Sequence, residues 1–67
     1  MQTELVTMTE IASDYMRKAG YSIFWLDKVE RDEQKNQWRL VFSVGISKEL
    51  KKTVVLDDET QKVIAFE

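Results

Sequence analysis

Lys51-Lys52-Thr53-Val54-Val55-Leu56, then Asp57-Asp58-Glu59-Thr60-Gln61, then Lys62-Val63-Ile64-Ala65-Phe66: two β-branched, apolar runs flank a cluster of turn-forming residues, which reads as a β-hairpin. Immediately upstream, Trp38, Leu40, Phe42, Val44 and Ile46 alternate with Gln37, Arg39, Val41, Ser43 and Gly45. A period of two over that length predicts a strand with one buried face. Ser47-Lys48-Glu49 supplies the turn between this strand and the hairpin.

Further back, Asp32-Glu33-Gln34-Lys35-Asn36 is a second polar turn. Before it, Ser22 to Asp32 carries Ile23, Phe24, Trp25, Leu26 and Val29, an aromatic and β-branched enrichment expected of a strand. Pairing the two strands around that turn sets Val29 opposite Leu40, Trp25 opposite Val44 and Ile23 opposite Ile46. These six, with Phe42, are the expected helix-facing layer.

The remaining segment is helical in pattern. Leu5, Met8, Ala12, Tyr15 and Ala19 recur at steps of three and four, and Val6, Ile11 and Met16 widen the stripe. Thr3 is a candidate N-cap, and Thr7-Met8-Thr9-Glu10 has capping-box spacing. Arg17 and Lys18 suit the negative end of the helix dipole, and Gly20 suits a left-handed C-cap. A helix followed by short-linked hairpins implies an α+β fold: an N-terminal helix packed on one face of a three- to four-stranded antiparallel β-meander, as a single domain over 1–67.

Composition narrows the chemistry. The 67 residues include no cysteine and no histidine, so disulfides, thiolate nucleophiles and the usual zinc ligand sets are excluded. Ten Lys and Arg face twelve Asp and Glu, a net charge of −2, and the signs interleave, so there is no strongly basic domain for a nucleic-acid backbone. Met1-Gln2-Thr3-Glu4 lacks the cationic start of a secretory signal, and no apolar run reaches the roughly 20 residues of a membrane span. The expectation is a cytoplasmic protein without membrane contact.

The closing hairpin resembles that of the PepSY domain family, whose last hairpin commonly reads apolar-x-apolar-Asp-x-x-Thr-Gly-x-Val. The matching positions are Val54, Leu56, Asp57, Thr60 and Val63, preceded by the aromatic strand Trp38-Arg39-Leu40-Val41-Phe42. The resemblance implies the helix-plus-meander fold and a non-catalytic binding or inhibitory role. The chain departs from the pattern at Gln61, which stands where the family has glycine, so a turn requiring positive φ must draw it from a non-glycine residue.

No catalytic constellation is recognisable among the Ser, Thr, Lys, Tyr and carboxylates, and the chain reads as a non-enzyme needing no cofactor. Asp57-Asp58-Glu59 lacks the spaced oxygen ligands of a calcium loop and reads as a solvated turn. Strict alternation from Trp25 to Val29 aims Asp27 at the core, where a carboxylate is costly; a bulge or sheet edge that lets it reach water or a cation resolves the conflict. The two tryptophans read as core residues, Trp38 being the better candidate for partial exposure.

The same alternation places Phe24 and Leu26 on the face away from the helix, with Val41 and Val55. A cluster of apolar groups there suggests a surface for a protein partner or for self-association as a homodimer. The leading expectation is thus a small interaction or regulatory module using its open sheet face. The alternative is a single-stranded nucleic-acid binder using Arg39 with Lys48, Lys51 and Lys52. Lysines also protect sheet edges from unwanted pairing, which disfavours that alternative.

Overall fold

The structure, a computed structural model, describes residues 2–47 and 50–67, and for residues 2–4 the backbone alone. Met8, Ala12 and Met16, each four residues apart, are its fully buried helical residues. They form the central stripe of α1 (Gln2–Lys18), and Ile11 and Tyr15 widen it. The helix begins at Gln2, so Thr3 lies within its first turn. Thr7-Met8-Thr9-Glu10 therefore lies inside the helix and does not start it, and Thr9 donates its hydroxyl to the Leu5 carbonyl one turn back (2.8 Å).

The C-terminus of the helix follows the sequence closely. Gly20 takes φ 104°, Gly20 N–H donates to the Arg17 carbonyl and Tyr21 N–H to the Met16 carbonyl, each at 3.0 Å. This pair of bonds is a Schellman motif, which satisfies carbonyls that the last turn would otherwise leave orphaned.

Four strands follow, β1 (Phe24–Asp32), β2 (Gln37–Val44), β3 (Leu50–Asp57) and β4 (Val63–Phe66), in an antiparallel sheet of order β1-β2-β3-β4. The expected α+β meander is therefore the observed one. α1 lies against the central strands β2 and β3. Leu40 and Phe42 of β2 and Val54 and Leu56 of β3 meet Met8, Ala12 and Met16 in the core. These rungs share a face because Leu40 pairs with Val54 and Trp38 with Leu56.

β1 departs from the expected register. Val29 pairs with Leu40 as expected, but Lys28 pairs with Val41 and Leu26 with Phe42, so Asp27 is an extra residue and forms a β-bulge. A bulge inverts the sidedness of everything on one side of it. Phe24 and Leu26 consequently stand on the helix side of the sheet, where the Phe24 ring meets Phe42 edge-on at 5.4 Å. Trp25 pairs with Ser43 rather than Val44, so it faces away from the helix and is 45% exposed. Ile23 lies before β1, its carbonyl accepting from Gly45 N–H (2.9 Å), and Ile46 lies beyond β2 and is 82% exposed. The expected core places for Ile23, Trp25 and Ile46 are thus corrected, with the half-buried Phe24 packing against the core in their stead.

Candidate interaction surface

Three regions hold the residues singled out from the sequence. The first is the sheet face away from the helix. Trp25, Val41 and Val55 lie there, across from Ser43, Thr53 and Ala65. Phe24 and Leu26 do not, so the expected single face carrying Phe24, Leu26, Val41 and Val55 is divided between the two sides of the sheet by the bulge. Val55 is only 5% exposed. Ion pairs cross this face: Arg39 with Glu67 (3.9 Å), Lys28 with Glu30 (3.3 Å) and Lys51 with Asp27 (2.5 Å).

Asp27 therefore reaches a cation by way of a bulge. The hydrogen bond from Lys51 Nζ, and then the Lys51 charge, hold its carboxyl below the usual carboxylate value. Lys51 also approaches the buried Ser43 hydroxyl at 3.5 Å. Lys52 points the other way, its register partner being Phe42, and its ammonium sits 5.9 Å from the centre of the Phe66 ring. The basic set is thus split between two faces, with Arg39 and Lys51 already matched by carboxylates. Lys48 lies outside the described residues.

The second region is the far end of the sheet, where the two hairpin turns meet. Asp57 is the pivot of the β3–β4 turn: its Oδ2 accepts from Thr60 N–H (2.8 Å) and Glu59 N–H (3.1 Å). Those bonds, that from Thr60 first, hold its carboxyl below the ordinary value. Gln61 supplies the left-handed residue at φ 61°, and Asn36 does the same at φ 57° in the β1–β2 turn. Asp58 binds the two turns together. Its N–H donates to the Asn36 carbonyl (2.9 Å), its Oδ1 accepts from Trp38 Nε1 (2.6 Å), and its Oδ2 pairs with Arg31 (3.2 Å). Arg31 also donates to Asn36 Oδ1 (2.8 Å) and lies 5.6 Å from the Trp38 ring centre. The carboxylates of Asp57 and Asp58 are therefore committed to the fold, and among the described residues no group of three or more acidic side chains is arranged to hold a metal ion.

The third region is the edge of the sheet. β1 has β2 on one side, and among the described residues no strand pairs with its other side. The Gly45 to Ile23 bond sets the phase of the ladder. By alternation, and with the one-residue offset at Asp27, Trp25, Lys28 and Glu30 aim their backbone groups at β2, while Phe24, Leu26, Val29 and Arg31 aim theirs outward. The opening half of the edge is apolar, with Trp25 45% and Leu26 41% exposed, and Ile23, Ile46 and Leu50 are exposed at the same end of the sheet. The closing half, Lys28 to Asp32, is charged. The opposite edge, β4, is four residues long and carries an irregularity of its own at the Val55/Leu56 step.

The backbone edge is the feature that residue patterning alone does not reveal. The signal was present in the chain as the misplaced Asp27, since a charged residue breaking apolar alternation is what a bulge leaves in a sequence. No family model, curated protein or solved structure matches the chain. No helix among the described residues is long and apolar enough to cross a membrane.

Proposed function

We propose that the protein is a small non-catalytic interaction module that binds an extended polypeptide segment along the open edge of β1. The observation that carries this reading is the edge itself: β1, nine residues long, lies outermost among the described strands with about half of its backbone groups aimed away from the sheet. Strand addition draws affinity from such main-chain groups and specificity from alternate side chains. Exposed Leu26, with Ile23 and Trp25 beside it, offers apolar contact at one end, and Lys28, Glu30 and Arg31 offer charge at the other. The binding or inhibitory role implied by the PepSY resemblance agrees with this reading.

The test exploits the phase of the ladder. Val29 N–H points outward, so proline at that position removes a donor that the fold does not use while blocking an incoming strand. A photo-reactive residue at Leu26, in cells that naturally express the protein, should give protein adducts that Val29→Pro abolishes, and one at Glu10 on the exposed side of α1 should give none. A folded Val29→Pro variant whose adducts are unchanged would defeat the proposal.

A further inference from the structure

We infer that the segment received by β1 is the β1 of a second copy of this chain, paired antiparallel about a two-fold axis through Val29. This rests on the reading of β1 as a strand-addition edge and adds the identity of the occupant. The argument is one of charge. Around Val29 the chain reads Lys28-Val29-Glu30, with opposite charges on either side of the centre and both charged side chains on the face away from the helix. In a two-fold antiparallel pair centred there, Lys28 of each protomer lies opposite Glu30 of its partner on the face away from the helix, while Asp27, the bulge residue, forms no rung and Arg31 lies on the other face beside Trp38. Both symmetry-related Lys28–Glu30 pairs are of opposite sign, and directly opposed side chains are the pairs that interact across strands.

The backbone agrees with that centre. Val29 is one of the outward-facing residues, so its N–H and C=O can both be exchanged with those of the partner's Val29, as a hydrogen-bonded antiparallel pair requires. Other outward centres fit worse. An axis through Arg31 sets Arg31 against itself and Glu30 against Asp32, all of like sign. One through Leu26 puts the Asp27 bulge next to the axis and sets neither Lys28 nor Glu30 against a charge of opposite sign. One through Phe24 pairs mainly the loop before β1 and leaves most of the strand uncovered. The axis through Val29 overlaps Leu26 to Asp32, most of the strand, with the Asp27 bulge near the end of the overlap.

Existing contacts do not oppose the pairing. Lys28 and Glu30 pair with each other within one chain at 3.3 Å, with both side chains more than half exposed, and such surface pairs hold little energy. Exchanging partners across the axis therefore costs little. Asp27 and Arg31, on opposite faces of the sheet, keep their partners Lys51 and Asp58. Because the axis is perpendicular to the sheet, both helices of the pair lie on the same side of one continuous sheet, and the core is untouched.

Sedimentation equilibrium over a wide concentration range, with charge-swap variants, tests this. The wild type should self-associate. Lys28→Glu and Glu30→Lys should each weaken the dimer about tenfold, because each sets like charges opposite one another at two symmetry-related places. An equimolar mixture of the two variants should associate again, since positions 28 and 30 are both acidic in the first and both basic in the second, so that every opposed pair regains opposite signs. The double variant should recover the wild-type constant. In the wild type alone, exchange of the Val29 amide should slow as concentration rises. A wild type that stays monomeric with a concentration-independent Val29 amide overturns self-pairing, and the Leu26 adducts then decide separately whether the edge binds anything else. A wild type that associates no more strongly than both single variants, or a mixture that fails to recover, overturns the Val29-centred pairing by placing the contact elsewhere.

Discussion

β2 and β1 are neighbours of nearly equal length, yet one obeys its sequence pattern and the other reverses it. In β2, Leu40 and Phe42 point at the helix and Arg39 and Val41 away, as alternation requires. In β1, Val29 keeps the expected side but Phe24 and Leu26 change sides with Trp25. A central strand is held in register from both sides and under a helix, so an extra residue there would disrupt two ladders. An edge strand has one ladder to disturb, and bulges concentrate at edges for that reason. The same freedom that made β1 hard to read leaves half of its backbone open for binding.

The largest expected effect contrasts the two strands on a single rung. Phe42→Ala should cost about 3–5 kcal/mol in denaturant unfolding, since Phe42 is 1% exposed and its removal leaves a cavity beneath α1. A loss under about 1 kcal/mol would mean that β2 is inverted as well. Its register partner Leu26 is 41% exposed at the edge, so Leu26→Ala should cost only about 1 kcal/mol, roughly one buried methylene or slightly more. Equal costs for the two would erase the distinction between centre and edge.

Acid sharpens the comparison with a smaller effect. The carboxyls of Asp57 and Asp27 sit below their ordinary value of 3.8 in the folded protein. Groups depressed in this way add stability that is complete above the unfolded value and is lost as pH falls through the folded one. Denaturation midpoints should thus hold steady from neutrality to about pH 5 and decline below about pH 4. Asp57→Asn, which keeps an acceptor for Thr60 N–H but removes the charge, should make that decline shallower. Lys51→Ala should change stability at neutral pH by no more than about 0.5 kcal/mol, as befits an exposed pair.

Much of the fold was legible because the residues that decide it act locally. The stripe through Met8, Ala12 and Tyr15 with Met16 beside it, the glycine at position 20 and the alternation of β2 each declare one conformation, although Val6 and Ala19, counted in that stripe, are exposed. The acidic turn was legible in kind: Asp57 caps it, and Gln61 carries the positive φ that the missing glycine would have taken. The surface was not. Whether Phe24 or Trp25 faces the helix depends on whether Asp27 is counted as a rung or as a bulge, and the cation that the bulged Asp27 meets, Lys51, is distant in sequence. The union of Arg31, Asn36, Trp38 and Asp58 was equally hidden, because it joins two turns that only the completed sheet brings together.

The bulge is the claim on which both the fold and the binding edge depend, and cross-strand Hα–Hα nuclear Overhauser effects test it most directly. Non-hydrogen-bonded antiparallel pairs bring their Cα atoms to about 4.5 Å. The register described here expects such contacts for Phe24 with Val44, Leu26 with Phe42 and Val29 with Leu40. Contacts of Trp25 with Val44 and Asp27 with Phe42, in company with Val29 and Leu40, would show an unbroken ladder and return Trp25 to the helix side, contradicting the account.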